Sequence, residues 1–339
     1  MSLLFRDAAG PSLAPGGSVL CVGAFDGVHV GHRALLACVR ERARERGLVP
    51  LAISFEPIPR EFFARREAVP RLTSAREKIA CLFDAGIERL LSLRFDAGLA
   101  AMPAERFIED VLVARAGARE VHVGADFRFG NARRGDVTML QAHGGRCGFT
   151  VEAMPDVGID GARVSSSAIR AHLAAGRFDA AARLLGRRFT IGGHVVHGQQ
   201  LGRKLGYPTA NIRLGRRTSP IGGIFAVKVR GDGILASGTG IRGSHRPDAW
   251  PAVASLGVRP TIDGGGEPLL EVHLFDFEGD LYGRRLEVEF VHKLREEKAF
   301  DDLEAMVRQI DRDAREARAI LDATSPGTGS RHAPGRRAG

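Results

Sequence analysis

The passage that most constrains the fold is a strand, a glycine-rich turn and a helix at residues 18–47. The apolar run Val19–Val22 has the length of a buried parallel strand. Three glycines, which let a backbone pass close to a ligand, follow at Gly23, Gly27 and Gly31. A helix is predicted from Arg33, because apolar residues then recur at helical spacing and Gly47 can close the C-terminus. The passage therefore predicts a βα unit with an open backbone at its turn.

Two histidines, His29 and His32, lie where this strand becomes the helix. Backbone N–H groups and the positive end of the helix dipole favour a phosphate there, although a plain glycine-rich turn is the alternative. The spacing differs from that of a P-loop and from the G-x-G-x-x-G of dinucleotide folds. It resembles the H-x-G-H signature of the nucleotidyltransferase superfamily, in which the histidines contact ATP phosphates.

Strands and helices continue to alternate as far as Gly186. Further strands are predicted at 49–55, 89–95, 120–124 and 149–155. Helices are predicted to begin at the capping box Ser74–Glu77 and at Pro103. This alternation implies a parallel sheet with right-handed crossovers, whose ligands bind beyond the carboxyl ends of the strands.

Two later loops carry groups suited to a phosphate or a flat ring. Asp126 lies in an aromatic and basic loop that either holds a ligand or is simply solvated. Ser165 and Ser166 precede a helix, and an N-cap role accounts for one serine of this run. Arg170, one turn further on, can reach a phosphate or form a surface ion pair. The residues alone leave both interpretations open.

From Arg188 the chain changes to short apolar strands joined by glycines, which predicts an antiparallel barrel or sandwich. Seven candidate strands lie at 189–198, 210–214, 223–231, 233–238, 252–258, 269–277 and 284–294. A long amphipathic helix at 300–323 is predicted to pack on the barrel through a stripe of Leu303, Met306, Val307 and Ile310. The predicted domains are 1–186 and 187–323, with a disordered basic tail at 324–339.

The segment 202–211 combines groups that suit a nucleotide and a hard cation. Its glycines and cations, which could approach and neutralise phosphates, are Gly202, Arg203, Lys204 and Gly206. Thr209 and Asn211 offer oxygen ligands for Mg²⁺, although a glycine-rich hairpin with a stray basic pair is the simpler interpretation. Glu271, within a predicted strand, is either a solvent-facing carboxylate or an acceptor for a hydroxyl proton.

Composition limits the class of protein. No run of about 18 apolar residues predicts a membrane span, and no secretion signal is evident. The four cysteines have no C-x-x-C pair, which argues against zinc and disulfides and fits a reducing cytoplasm. The net charge of +9 could indicate nucleic-acid binding, but no known module for it is present, so we expect small phosphorylated ligands instead.

Several motifs occur in an order that resembles the bacterial bifunctional riboflavin kinase/FAD synthetases, over about residues 18–318. They are G-x-F-D-G-x-H-x-G-H at 23–32, G-x-D-F-x-F-G at 124–130, S-S-x-x-I-R at 165–170, G-Y-P-T-A-N at 206–211, G-V-R-P-T at 257–261 and D-L-Y-G at 280–283. The resemblance implies a Rossmann-like nucleotidyltransferase domain with a parallel sheet, followed by an antiparallel β-barrel riboflavin kinase domain with a terminal helix.

The resemblance also implies two chemistries and their residues. In the barrel, Glu271 would be the base that lets riboflavin take a phosphoryl group from ATP, while Thr209 and Asn211 hold Mg²⁺ and nucleotide. The phosphates would lie along Gly202, Arg203, Lys204 and Gly206. In the first half, FMN would attack the α-phosphorus of ATP to give FAD, without a covalent enzyme intermediate. The implied residues there are His29, His32, Arg170, Ser165, Ser166, Gly23, Phe25, Asp26, Gly31 and Asp126.

Three departures bear on these expectations. Ile58 stands where the family usually has histidine, which removes one hydrogen-bonding group from the adenylylation site. Gln199 occupies a position where an acid is expected, and residues 238–250 resemble an insertion. A kinase with a non-catalytic first half is therefore one alternative, and a basic RNA- or DNA-binding protein is another. A homo-oligomer is compatible with the sequence.

Overall fold

The computed structural model describes residues 2–64, 69–198, 202, 206–214, 218–231, 249–259 and 267–324. Its contacts divide the chain into two compact units, the first formed by residues 1–189 with the short segments 214–221 and 260–268, and the second by the rest. The domain limits of 1–186, 187–323 and 324–339 stay predictions. Residues 325–339 of the predicted tail and 238–248 of the predicted insertion lie outside the described residues.

The first unit is built on one sheet with strand order β1-β4-β3-β2-β5-β6. Its strands are β1 (Leu3–Phe5), β2 (Ser18–Val22), β3 (Val49–Glu56), β4 (Arg89–Arg94), β5 (Ala118–Gly124) and β6 (Thr150–Met154). Neighbouring strands all pair in parallel, as predicted. The sequence did not predict β1, which pairs with the distant β4. A two-stranded hairpin of β7 (Gly158–Ile159) and β8 (Ala162–Arg163) follows the sheet.

Helices connect these strands. They are α1 (Val30–Arg46), α2 (Pro59–Phe63), α3 (Ala75–Asp84), α4 (Ala97–Ala101), α5 (Ala104–Arg106), α6 (Val137–Cys147), α7 (Ser166–Ala174) and α8 (Phe178–Leu185). The capping box at Ser74 and Glu77 is present at the start of α3, as predicted. The helix predicted from Pro103 begins as α5 and continues as a π-helix, Phe107–Arg115.

Both faces of the sheet are buried, which explains why its strands are apolar along their length. On one face Leu36 of α1 joins a cluster with Val19 of β2. On the other face Ile108 and Val111 of the π-helix join a cluster with Leu20. Because both faces of the sheet are covered, a ligand is expected to bind at the ends of its strands.

The second unit contains a closed barrel with strand order β10-β13-β12-β11-β14-β9. Its strands are β9 (Thr190–Val196), β10 (Ala210–Leu214), β11 (Gly223–Gly231), β12 (Trp250–Arg259), β13 (Glu267–Leu274) and β14 (Arg285–Arg295). They match six of the seven predicted strands, and the seventh, at 233–238, lies outside the described residues. Phe225 and Phe290 are fully buried and meet edge to face, with ring centroids 5.1 Å apart.

A final helix, α9 (Leu303–Ala323), packs on the barrel as predicted. Leu303 of the predicted stripe is 55% exposed, however, while Met306, Val307 and Ile310 are half-buried. The buried face lies further along the helix, where Ala314, Ala317 and Leu321 cluster with Ala226 of β11. This face contains small residues, which a pattern of hydrophobic residues does not single out.

None of the described helices combines the length and the apolar character that crossing a membrane requires.

Candidate active sites

The turn after β2 is sharper than the sequence indicated. Phe25 and Val28 adopt positive φ angles of 50° and 40°, on either side of Gly27 at 85°. The backbone N–H of Gly27 donates to Oγ1 of Thr73 at 3.1 Å. The helix begins at Val30 rather than at the predicted Arg33, because a side chain in the turn caps it.

That cap is His29, whose Nδ1 accepts a hydrogen bond from the backbone N–H of His32 at 3.3 Å. The two imidazole rings are stacked with centroids 3.6 Å apart, and Phe25 contacts the ring of His32 edge on. Nδ1 of His32 is buried and has no hydrogen-bond partner among the described residues. The structure therefore brings the two predicted histidines together at the start of α1.

Both histidines are neutral near pH 7. Burial lowers the pKa of His29 to about 4, although the charge of Asp26 partly opposes this shift. Burial also lowers the pKa of His32 well below its usual range, and the neighbouring His29 adds to the effect. These rings can therefore hydrogen-bond to a phosphate without bringing a positive charge to the turn.

Asp26 connects the turn to two distant segments. Its carboxylate accepts hydrogen bonds from the backbone N–H groups of Leu72 at 3.0 Å and Thr73 at 3.1 Å. It also forms an ion pair with Arg170, whose Nε donates to the carbonyl of Pro70 at 2.6 Å. Asp26 is only 3% exposed, so its contacts in the structure are with the protein itself. Its predicted contact with a nucleotide stays a prediction.

The two predicted serines lie at the start of α7. Ser165 is the N-cap and accepts from the backbone N–H of Ala168 at 3.1 Å, which confirms the N-cap interpretation. The hydroxyl of Ser166 donates to the backbone carbonyl of Asp26 at 2.9 Å. The serines, Arg170 and the histidine turn are thus parts of one connected assembly.

Asp126 follows β5 and is exposed. It forms an ion pair with Arg163 at 2.7 Å, and Arg163 also contacts Asp156 at 3.0 Å. Arg163 was not predicted as a site residue, although it lies two residues before the serine motif. The hydrogen bond from Arg163 to Asp126 raises the pKa of the guanidinium, so the arginine stays charged.

A buried ionic cluster was also missed. Lys78 is 1% exposed, and its Nζ contacts the carbonyl of Phe55 at 2.7 Å and Glu56 at 3.2 Å. Arg71 bonds to Glu56 at 2.9 Å and to Glu61 at 3.2 Å. In the sequence, the only indication of this cluster was the charged residue Glu56 at the end of an apolar strand. Ile58, which stands where the family usually has histidine, lies two residues beyond Glu56 and is 2% exposed.

In the barrel, the register places two predicted residues side by side. Asn211 of β10 pairs directly with Glu271 of β13, so their side chains share one face of the sheet. Asn211 is 5% exposed, and its Oδ1 is buried without a hydrogen-bond partner among the described residues. A Cβ at Gly198 would lie 2.4 Å from Nδ2 of Asn211, so only glycine leaves room there.

The glycines of segment 202–211 allow its backbone to turn back on itself. The backbone N–H of Tyr207 donates to the carbonyl of Gly202 at 2.8 Å, and Gly206 has a φ of 83°. A Cβ at Gly202 would lie 3.5 Å from Oγ1 of Thr209. Arg203 and Lys204, predicted to bind phosphates, lie outside the described residues, as does Gln199.

A cavity of about 570 Å³ opens beside Thr209, a volume typical of small-ligand sites. It is lined by Val195, Pro208, Thr209, Ala210, Leu274, Phe277, Gly279, Asp280, Leu281 and Tyr282. The ring of Tyr282 is stacked on His197 with centroids 3.9 Å apart. The D-L-Y-G motif at 280–283 is thus at this cavity.

The donor set near the cavity fits magnesium. Thr209, Asn211 and Glu271 offer oxygen atoms only, which hard cations prefer. The buried Oδ1 of Asn211 has no hydrogen-bond partner within the described part of the chain, and a cation could supply one. The α/β unit has a turn whose two neutral histidines suit a phosphate, and the barrel has a site that offers oxygen ligands. Two such centres in one chain are typical of a nucleotide-dependent transferase.

Comparison with known proteins identifies the family within this class of transferases. The FAD synthetase family model matches residues 12–168, and the riboflavin kinase family model matches residues 185–321. A bifunctional riboflavin kinase/FMN adenylyltransferase of Pseudomonas fluorescens is 48% identical over 304 residues, 90% of this chain and 93% of that protein. The one of Escherichia coli K12 is 43% identical over 310 residues, covering 91% and 95%. The chain belongs to the bifunctional riboflavin kinase/FMN adenylyltransferase family.

A solved structure agrees with the fold. A crystal structure described as a macrolide-efflux protein from Streptococcus pneumoniae has a TM-score of 0.75 and 28% identity. The match covers 94% of this chain and 98% of that one.

Proposed function

We propose that this chain converts riboflavin to FMN and then FMN to FAD, using one ATP for each step. The observation that carries this function is the pair of family matches, one for each activity, on separate halves of one chain. Relatives that share about nine-tenths of the chain carry both activities in their names. The alternative of a kinase with a non-catalytic first half is therefore not favoured.

For the kinase step, we propose that Glu271 accepts the proton of the ribityl 5′-hydroxyl as its oxygen attacks the γ-phosphorus of ATP. The bond to the β,γ-bridging oxygen breaks, and ADP leaves. Asn211 and Thr209 would hold Mg²⁺, which neutralises phosphate charge when it is bound. The pairing of Asn211 with Glu271 supports this assignment, because it puts the proposed base beside the proposed metal ligand.

The nucleotide would occupy the cavity beside Thr209, with its phosphates toward Gly202 and Gly206. The closeness of Thr209 to Gly202 supports this placement. Arg203 and Lys204 are proposed to neutralise the phosphates on chemical grounds alone.

For the adenylylation step, a phosphate oxygen of FMN attacks the α-phosphorus of ATP and pyrophosphate leaves. His29 and His32 would donate hydrogen bonds to phosphate oxygens, and the unpartnered nitrogen of His32 supports this role. Ser165, Ser166 and Arg170 complete the assembly, in which Arg170 is held by Asp26. Gly23 and Gly31 keep the backbone open, and Phe25 contacts His32. Asp126 would contact FMN or nucleotide.

Two sets of variants test the two assignments against each other. Glu271→Gln should abolish FMN formation from riboflavin, yet leave supplied FMN convertible to FAD. His29→Ala combined with His32→Ala should do the reverse. Glu287→Gln, at an exposed position of β14, and His143→Ala, at a half-buried position of α6, serve as matched controls. Loss of both activities in either variant, with an unchanged thermal melt, would contradict the separation of sites.

We also propose a cytoplasmic location and small-molecule partners rather than nucleic acid. All four cysteines are free thiols, which suits a reducing compartment.

A further inference from the structure

Residues 70–74, which we call the strap, connect to the start of α3 and contact the turn that carries the two histidines. The proposed function makes this turn the phosphate site of adenylylation, but it gives the strap no role. Three residues of the strap are nevertheless buried, with Arg71 5%, Leu72 1% and Thr73 2% exposed. Connecting segments normally run over the surface, so the burial of this one calls for a physical reason.

The turn has an unfavourable backbone conformation. Phe25 and Val28 have φ angles of 50° and 40°, in a region that residues other than glycine rarely adopt and that β-branched valine adopts least readily. Such conformations persist only where the surrounding contacts enforce them. Whatever enforces this turn therefore also determines the position of His29, which directly follows Val28.

Thr73 connects the strap to the middle of the turn. Its Oγ1 accepts a hydrogen bond from the backbone N–H of Gly27 at 3.1 Å and donates to Oδ1 of Asp26 at 3.4 Å. The backbone N–H of Thr73 donates to the same carboxylate oxygen at 3.1 Å. These bonds hold the two residues that lie between Phe25 and Val28. All of the bonded residues are buried, so a lost bond would leave an unsatisfied polar group.

The strap is also fixed by contacts outside the turn. Arg71 bonds to Glu56 of β3 at 2.9 Å and to Glu61 of α2 at 3.2 Å. Next to Arg71, the side chain of Leu72 packs on the turn, since a Cβ at Gly27 would lie only 2.8 Å from its Cδ1. The strap can therefore act as a support for the turn, because its own position is held by β3 and α2.

We propose that Thr73 is a positioning residue for FMN adenylylation, and that its hydroxyl holds the turn in the conformation that places His29 and His32. The inference rests on the function proposed for this turn. Thr73 acts through the backbone N–H of Gly27 and the carboxylate of Asp26 rather than on a substrate. Serine, which keeps the hydroxyl, should therefore replace it, whereas valine, which keeps only the shape, should not.

Thr73→Val and Thr73→Ser test the role of the hydroxyl. In Thr73→Val, kcat for the conversion of supplied FMN to FAD should fall roughly 10- to 100-fold, because the histidines lose their exact placement. Thr73→Ser should stay within about threefold of the wild type, since serine can make the same hydrogen bonds. Phosphorylation of riboflavin by the same preparations should be unchanged in both variants.

Ser18→Ala is the matched control for a loss of stability alone. Ser18 begins β2, the strand that leads into the turn, and its buried Oγ donates to the carbonyl of Ala116 at 2.7 Å. Each variant loses a buried hydroxyl, so Ser18→Ala and Thr73→Val should both lower the Tm by roughly 2–6 °C. Only Thr73→Val should slow adenylylation, and equal kcat values for the two variants would overturn the proposal. If Thr73→Val does not fold, Thr73→Cys, whose thiol is a weaker acceptor, takes its place with a smaller expected loss.

A second readout does not depend on activity. Burial lowers the pKa of His29 to about 4, so its ring should stay neutral down to about pH 5 in the wild type and in Ser18→Ala. In Thr73→Val the loosened turn should expose the ring and bring its pKa closer to 6.5. NMR titration of the histidine ring protons, with His29→Asn to assign the signal, measures this shift.

The two readouts separate this proposal from the proposed function. An unchanged titration of His29 in Thr73→Val would overturn the role of Thr73, whether or not the wild type makes FAD. A shifted titration in a chain whose wild type makes no FAD would instead contradict the proposed adenylylation, and with it the positioning role in that reaction.

Discussion

At the scale of single residues, Asp26 shows how a predicted ligand contact can be a structural one. Its carboxylate joins the histidine turn to Leu72, Thr73 and Arg170 with almost no exposure. A buried charge pair of this kind contributes little by its presence, but removing one partner leaves the other charge uncompensated. We therefore expect Asp26 to affect adenylylation through the position of Arg170 and of the turn.

Asp26→Asn should accordingly lower the free energy of unfolding of the first unit by about 3 kcal/mol. Asp179→Asn is the matched control, because its ion pair with Arg188 is largely exposed and should contribute less than about 1 kcal/mol. Urea denaturation of both variants measures the difference. Equal, small effects would show that the buried pair is not a structural link.

The histidine turn predicts a dependence of stability on pH. The pKa of His29 falls from 6.5 to about 4 on folding, so the unfolded chain binds a proton first as the pH drops. The free energy of unfolding should be unaffected by His29 above pH 6.5 and should decrease between pH 6.5 and 4, by up to about 3 kcal/mol. His32, whose pKa is also lowered, should add to the loss in the same direction.

His29→Asn isolates this effect, because asparagine can also cap α1 but does not titrate. Denaturation at a series of pH values should show a shallower loss for the variant than for the wild type. Identical pH profiles would contradict the account of a histidine that is buried in its neutral form.

Some of the site residues could be predicted from sequence, and others could not. The histidine pair and the Ser165 cap follow from local motifs, and their placement was correct. Arg163 and the buried Lys78 depend on partners far away in the chain, which local patterns do not specify.

At the scale of elements, α9 and β13 hold the segment that carries Thr209. The hydroxyl of Tyr207 donates to Asp311 of α9, and the carbonyl of Pro208 is 2.8 Å from Nδ1 of His273. The ring of Tyr207 also contacts that of His273, with centroids 5.2 Å apart. The terminal helix therefore supports the proposed kinase site as well as covering the barrel.

Tyr207→Phe should reduce riboflavin phosphorylation by roughly two- to tenfold, the worth of one hydrogen bond, and leave adenylylation of supplied FMN unchanged. Asp311→Asn should have a similar effect, and the double variant should be no worse than either single one. Initial rates of the two reactions measured separately provide the test. Additive losses would mean that the two residues act independently.

The elements that could not be predicted from the sequence have one physical cause in common, which is that each depends on contacts with another element. The strand Leu3–Phe5 is too short for a periodic signal and exists because it pairs with β4. The buried face of α9 is set by the small residues Ala314 and Ala317 against the barrel, not by its most apolar stripe. By contrast, the capping box at Ser74 and the strands β2 and β3 were predictable, because their signals are local.

At the scale of the whole molecule, one chain carries the two consecutive reactions of its family. The motifs identified both halves, but register was needed to show that Asn211 and Glu271 are neighbours.

The most direct test of the central claim is a time course of the full chain with riboflavin, ATP and Mg²⁺, followed by chromatography of the flavins. Riboflavin should decrease, FMN should rise and then fall, and FAD should accumulate with an equal amount of pyrophosphate. FMN should accumulate more strongly in this chain than in Ile58→His if the buried isoleucine weakens the second step. A reaction that ends at FMN, or that never forms FMN, would contradict the account of a bifunctional enzyme.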